Sequence, residues 1–370
     1  MTIQDIIDTL NAWAHPALQE PYDNSGLQYG IPSAACRGIL VCLDVTPQII
    51  DEAIERNCNL IIAHHPLLFK PLKQITGSGN VDECLIKAIR NDIAIFAFHT
   101  NLDNVITGVS RFLIENFDIE PRSLEILSTQ TGKLAKIYTY VPSEHAEILK
   151  TKLFEAGCGQ IGQYEQCSFE TMGKGQFKPQ AGADPFIGEA GGKLEKVEEL
   201  KIEAVFPLYK SHEITRALLN AHPYETPAYE IIQLQNVWQE TGSGILAELK
   251  SPVSEEKFLA EILAKLNPHG IRYSPLLGKP IKKIAVCGGS GAFLISRAKQ
   301  AGANLFITGD LKYHDFFEAD GKLVLVDAGH FETERFAVPS IMNFLKSKFP
   351  NFAVLETSLN TNPVRYLRQK

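Results

Sequence analysis

Hydrophobic residues fall into two rhythms over the first 125 residues. Short apolar runs at 37–44, 59–63 and 93–98 are spaced as buried strands, and between them residues 46–55 and 81–91 repeat apolar side chains at helical spacing. Thr46 before Pro47 is a helix start: a capping side chain, then a proline at the first helical position. Strands alternating with helices imply crossover units and a mostly parallel sheet. Residues 281–346 carry the same rhythm, with strands predicted at 281–287, 304–308 and 322–327 and helices at 293–300 and 331–345.

Between these regions the pattern changes. Strands are predicted at 136–141, 168–177, 201–208 and 229–234, with helices at 142–157 and 212–221. The order β-α-β-β-α-β is the ferredoxin-like arrangement. Residues 178–192, rich in Gly, Pro and Ala, are expected to form a surface loop, and Gly242-Ser-Gly244 the linker by which the chain returns. The fold class is therefore α/β: two related α/β subdomains forming a core, with an inserted ferredoxin-like domain. The expected division is 1–129 for the first half of the core, 130–238 for the insertion and 239–370 for the second half.

The two core regions also resemble each other. Residues 39–65 lie without gaps on residues 284–310: Ile39, Val41, Cys42, Ile50, Ala53, Asn59, Leu60 and Ile62 recur as Ile284, Val286, Cys287, Ile295, Ala298, Asn304, Leu305 and Ile307. Farther on, His99 and Asp103 answer His330 and Glu334, each pair reading His-x-x-x-acid after an apolar strand. Any two β-α-β units share some of this. The alternative is two related halves whose strand ends converge on one site.

Composition removes several functions. A chain of 370 residues allows two or three domains, and 45% hydrophobic with 21% charged residues is ordinary for a globular protein. A net charge of −7 argues against a nucleic-acid surface covering most of the molecule. No stretch approaches the roughly 18 apolar residues of a membrane span, and the first residues lack the pattern of a secretory signal. The seven cysteines include no C-x-x-C pair, and Cys42, Cys58 and Cys287 sit in apolar runs. They read as reduced residues of a cytoplasmic protein, not as a thiolate zinc site.

Candidate chemistry gathers at strand ends. His64 and His65 follow a strand and precede Pro66, so both rings can face one crevice where open α/β sheets bind ligands. His99 and Asp103 also follow a strand. Asp103 is a hard oxygen donor, while His99 is read as a ligand, an orienting partner, a buried structural histidine or a catalytic group. His330 and Glu334, four apart, share one helical face. His64, His65, Asp103, His330 and Glu334 give five nitrogen and oxygen donors. That suits two divalent ions about 3.5–4 Å apart with a bridging carboxylate. Zinc, iron, manganese and cobalt all accept such donors.

Asp310 and His314, near the repeat position of His64 and His65, are read as pocket lining and candidate acid/base groups. Gly288-Gly-Ser-Gly291 is either an anion cradle at a helix start or a tight turn. Arg111, Lys70 and Lys312 can contact phosphate or simply be solvated. His222-Pro-Tyr-Glu225 reads as a structural turn.

At these residues the sequence resembles a known family, the GTP cyclohydrolase 1 type 2 homologues, also called NIF-three-like proteins. The matching strings are Tyr22-Asp-Asn-Ser-Gly-Leu-Gln28, Leu43-Asp-Val-Thr-Pro47, His64-His-Pro66, His99-Thr-Asn-Leu-Asp103, Gly288-Gly-Ser-Gly291, Thr308-Gly-Asp310 and Asp327-Ala-Gly-His330 with Glu334. The insertion, with residues 156–162, Tyr164, Cys167-Ser-Phe169 and His222-Pro-Tyr-Glu225, resembles the CutA/PII-like domain of the longer bacterial members. Ser25, Ser110 and Thr226 depart from the family's usual residues, and none is a metal ligand. The resemblance implies a two-metal site between the subdomains, held by His64, His65, Asp103, His330 and Glu334 with Glu334 as the bridge. It also implies a homohexamer.

The function expected is that of a metal-dependent hydrolase acting on GTP or a related small nucleotide. The alternative is a non-catalytic metal-binding, regulatory or delivery protein with a ligand-sensing insertion. Nucleic-acid association is a third reading, which the acidic charge disfavours.

Overall fold

The core helices Ile3–Trp13 and Pro47–Glu55 each start on a capping threonine, Thr2 and Thr46. The computed structural model describes residues 1–266 and 269–367. Before the insertion the elements are α1 (Ile3–Trp13), β1 (Gly26–Tyr29), β2 (Ile39–Cys42), α2 (Pro47–Glu55), β3 (Leu60–Ala63), α3 (Asn80–Arg90), β4 (Ala94–Ala97), α4 (Thr100–Asp103), α5 (Val109–Glu115) and β5 (Pro121–Thr131). Thr46 caps α2 by accepting from Ile49 N, with Pro47 behind it.

The insertion carries β6 (Leu134–Pro142), α6 (Ala146–Glu155), β7 (Phe169–Phe177), β8 (Glu195–Pro207), α7 (Ser211–Ala221) and β9 (Tyr229–Leu234). Then come β10 (Val237–Val253), α8 (Glu255–Leu266), β11 (Arg272–Tyr273), β12 (Ile281–Ser290), α9 (Ile295–Gln300), β13 (Leu305–Gly309), β14 (Val324–Asp327), α10 (His330–Glu334), α11 (Ala337–Lys348) and β15 (Val354–Glu356).

The chain divides into two compact units, Met1–Ser128 with Glu240–Lys370, and Thr129–Gln239. The first is a mixed α/β unit with two sheets, ordered β1-β4-β3-β2-β15 and β11-β14-β13-β12-β10-β5. The second has one antiparallel sheet, β7-β8-β6-β9, with α6 and α7 packed on one face through Leu149, Leu153, Ile214 and Leu218.

The internal repeat holds in hydrogen-bond register. Ile39 pairs with Leu60 and Ile284 with Leu305, both in parallel. The Asn59 side chain accepts from Arg37 N at 2.6 Å, and Asn304 accepts from Lys282 N at 2.8 Å. Each parallel set carries an antiparallel neighbour, β1 on β4 and β11 on β14. Successive residues of the central strands are buried on both faces. Ile284, Val286, Leu305 and Ile307 pack one way, and Ala285, Cys287 and Phe306 the other. That is the signature of strands covered on two sides.

Three expectations need correcting. Gly242-Ser-Gly244 is not a free linker. It lies inside β10, where Gly242 N donates to Asn104 O and Thr241 bridges Val105. The second sheet is parallel only across β12, β13 and β14, because β10 and β11 join it antiparallel. The helix expected over 331–345 is two helices. Pro339 has no N–H to offer the carbonyl of Arg335, and the chain breaks between α10 and α11.

Candidate metal centre

Strand ends of both core sheets deliver the histidines. His64 and His65 follow β3. His99 precedes α4, which Asp103 ends, while His330 opens α10 and Glu334 closes it. Inside a strand His64 and His65 would face opposite ways. Past its end their rings lie 5.0 Å apart by centroid, and His330 stands 5.2 Å from His65.

All four imidazoles have Nδ1 engaged. His64 meets Phe98 O at 2.9 Å, His65 meets Asp44 Oδ1 at 2.8 Å, His99 meets Asp23 Oδ1 at 2.7 Å and His330 meets Asp310 Oδ2 at 2.7 Å. These oxygens only accept, so Nδ1–H donates, and Nε2 of the neutral ring keeps its lone pair. The Nε2 atoms of His65 and His330 lie 3.3 Å apart, each 2.9 Å from Glu334 Oε2. His64 Nε2 lies 3.7 Å from Glu334 Oε1 and 3.7 Å from Asp103 Oδ1. The two oxygens of Glu334 thus face two different donor sets.

Within this cluster three buried atoms, His64 Nε2, Asp103 Oδ1 and Glu334 Oε2, find no hydrogen-bond partner among the described residues. His64 is 0% and Glu334 4% exposed. Leaving such atoms unpaired costs about 1–3 kcal/mol each, more for charged groups. The arrangement fits divalent cations. Its donors are imidazole and carboxylate, a set that divalent transition-metal ions accept.

Burial raises the Asp103 carboxyl above its usual range, with the Glu334 charge adding to the effect against the pull of His64. Burial pushes Glu334 the same way, but its contacts with His330, His64 and His65 outweigh it and hold the carboxyl well below the usual range. Burial disfavours charge on His65, yet Asp44 and Glu334 raise its pKa to about 10. The same balance, with Glu334 and Asp310, takes His330 to about 9.

The glycine string does not form an anion cradle at a helix start. It ends β12 and backs Glu334, and the short α9 follows only after a 3-10 turn. Gly289 has φ +61°, and a Cβ there would overlap Glu334 Oε1. Gly309, at the repeat position of His64, lets α10 approach: a Cβ there would sit 2.8 Å from His330 N. A cavity of about 490 Å³ opens beside His65 and His330, lined also by Asp44, Asp310 and Arg272.

His64, His65, Asp103, His330 and Glu334 are therefore brought together, and His99 joins His64 and His65 within 4.8 Å. Asp310 stands behind His330. His314 does not join them. It lies exposed on the 3-10 helix 313–319, its ring against Tyr313 and Phe317. Two carboxylates carried no role in the sequence reading, Asp44 and Asp23. Asp44 ends the β2 run at the same sheet edge, which was its available signal. His222 is structural, with Nε2 donating to Tyr140 O at 2.9 Å.

The family described as Duf34/NIF3 (NGG1p interacting factor 3) matches residues 1–363. A GTP cyclohydrolase 1 type 2 homolog of Staphylococcus epidermidis is 36% identical over 371 residues, covering 99% of this chain and 100% of the relative. One from Bacillus subtilis is 37% identical over 372 residues, covering 98% of each. The crystal structure of a Bacillus cereus protein related to NIF3 superposes with a TM-score of 0.85 at 34% identity, over 99% of both chains. On this evidence the chain belongs to the Duf34/NIF3 family.

Proposed function

We propose that the core binds two divalent cations and hydrolyses a nucleotide-like substrate with them. His64, Asp103 and Glu334 Oε1 would hold one ion, and His65, His330 and Glu334 Oε2 the other. Zinc, iron, manganese and cobalt all suit this set. Such a pair supplies Lewis acidity and a water made nucleophilic near neutral pH. The observation that carries the reading is Glu334, whose two oxygens address two separate groups of inward-facing ring nitrogens.

The chain's own residues do the rest. Asp44 and Asp310 fix the rings of His65 and His330. His99, held at Nδ1 by Asp23, keeps Nε2 for accepting or returning a proton. Burial works to raise the Asp23 carboxyl, but hydrogen bonds from His99 and Thr100 outweigh it and keep it ionised well below the usual range. The cavity wall carries Asp44, Asp310, Asp327 and Glu332, with Arg272 paired to Asp327. An acidic wall suits the donor-rich heterocycle of a substrate and repels its phosphates.

The relatives' name makes GTP the first substrate to try. Hydrolytic opening of its imidazole ring would release formate. The test is to follow GTP loss and formate release with metal-loaded protein. Turnover abolished in His65→Ala and Glu334→Ala supports the reading, and turnover unchanged in both rejects it. A metal store would close its ions from solvent, whereas the His330 side chain is 38% exposed and borders the cavity.

We also read residues 129–239 as a ferredoxin-like, CutA/PII-like domain from its β-α-β-β-α-β order. The assembly proposed is a homohexamer in the cytoplasm, testable by sedimentation. No helix among the described residues is long and apolar enough to cross a membrane.

A further inference from the structure

A cavity of about 1040 Å³ lies wholly within the unit Thr129–Gln239. It stands on the sheet face that α6 and α7 leave uncovered. Ile202, Ala204 and Phe206 of β8 pack toward the helices, and the alternate residues Glu199 and Lys201 line the cavity. Residues of the 178–187 segment form its other wall. Asp184 N donates to Glu225 Oε2 at 2.9 Å, and the Phe186 ring lies 5.2 Å from His145 and 6.3 Å from Tyr224.

Glu199 marks the floor. It is 8% exposed and borders the cavity. Tyr224 Oη donates to its Oε1 at 2.7 Å, and no other hydrogen bond from the described residues reaches the carboxylate. The cation two residues on, Lys201, is engaged with Glu203 at 2.8 Å and lies over the Tyr138 ring. The Glu199 Oε2 atom lies beside Gly175, another lining residue, and remains available to accept from a ligand in the cavity. Around it Phe177 and Tyr224 stand 5.6 Å apart by ring centroid, and with Phe186 they offer a surface for stacking a planar ring. Lys174 and Lys178 are exposed and also line the cavity. The volume matches a nucleotide-sized ligand.

We propose that this cavity binds a guanine nucleotide. The base stacks on the aromatic wall, its adjacent N1–H and N2–H donate to Glu199, and its phosphate meets Lys174 and Lys178. Adenine fits worse, because its N1 presents a lone pair beside its one amino group and would face the carboxylate. A site built around a hydrogen-bonded edge discriminates strongly against the mismatched one. Gly173 shares this sheet face across from Glu199, and a Cβ there meets nothing nearer than Glu199 O at 3.9 Å, so a larger side chain can fill the cavity without a backbone clash.

The test is calorimetric titration of the full chain with guanosine and adenosine 5′-monophosphates. It uses the Glu334→Gln background, which silences the candidate metal centre and keeps this outcome separate from the hydrolase reading. Guanosine monophosphate should bind at least about tenfold more tightly than adenosine monophosphate, and Glu199→Gln should weaken it by about tenfold or more. Gly173→Leu should abolish binding while circular dichroism and the melting temperature are kept. No binding, equal affinity for the two nucleotides, or guanosine monophosphate binding unchanged in both variants would overturn the proposal.

Discussion

Asp103 and Glu334 both stand 3.7 Å from His64 Nε2, one from each half of the internal repeat. Each ends a one-turn helix and each follows a strand-end histidine by four positions. Their reach differs. Glu334 also lies 2.9 Å from His65 and His330. The first half supplies His64 and His65 after its strand, where the second supplies Gly309 and Asp310, and there Asp310 supports His330.

Unequal removal of metal follows from that difference in reach. Asp103→Asn should leave about one ion per chain, because the His65, His330 and Oε2 set survives, and Glu334→Gln should bring the content toward zero. Elemental analysis of the purified variants measures this. Identical stoichiometry in the two would contradict the bridging role.

The carboxylates behind the rings should matter nearly as much. Asp44→Ala and Asp310→Ala are expected to weaken metal retention by about 10–100-fold, read by competition with a chelator. Asp44→Asn and Asp310→Asn still offer an oxygen to Nδ1–H and should recover much of the loss. Equal defects in the Ala and Asn variants would point to bulk or charge instead of ring orientation.

The repeat shows how far the sequence could be read. Strands β2, β3, β12 and β13 announced themselves because they are short, apolar and bounded by helical spacing, and Asn59 and Asn304 sit at matched positions in both. The five clustered donors were legible because strand ends gather at one sheet edge. Asp44 and Asp23 were not, since a carboxylate that orients a ring leaves no spacing of its own. Strand β10 was hidden by glycines whose composition mimics a linker. The break before α11 depends on one missing N–H at Pro339, inside an otherwise helical apolar pattern.

Asn59→Ala should destabilise more than Asn304→Ala. Asn59 is buried, accepts from Arg37 N and donates to Ala35 O at 2.9 Å. Its loss removes two partly buried hydrogen bonds and leaves a void at a buried side chain, at a cost of about 1–3 kcal/mol. Asn304 is less buried, and water can replace it at Lys282 N and Lys283 N. Urea denaturation of both variants gives the comparison, and the reverse order would refute it.

Acid should loosen the strap that follows β15. Glu52 accepts from Thr357 Oγ1 at 2.5 Å, Ser358 N at 2.8 Å, Ser358 Oγ at 3.0 Å and Arg56 at 2.8 Å. Burial acts to raise its carboxyl, but these donors outweigh it and hold it below the usual range. A lowered native pKa means the stabilisation is complete above the unfolded value and fades as pH falls through the native one. Glu52→Gln should therefore cost about 1–3 kcal/mol at neutral pH, and the gap to wild type should close below about pH 4. A gap that stays constant from neutral to acid pH would show that the charge contributes nothing.

Gly289→Ala tests whether the glycine string serves the carboxylate. Gly289 has φ +61°, a region alanine enters at a cost of about 1–2 kcal/mol. That alone would lower the melting temperature modestly. The second effect is specific: the new Cβ would occupy the place of Glu334 Oε1, the oxygen that faces His64 and shares that ring with Asp103. Glu334 must then turn away, and the His64 set loses its shared oxygen while His65 and His330 keep their own Nδ1 supports. Gly278→Ala provides the control, because it also has positive φ (+66°) but nothing within 4 Å of its Cβ. Both variants should lose similar stability, and only Gly289→Ala should lose metal in elemental analysis. Equal metal content in the two would mean that the glycine is kept for its backbone angle alone.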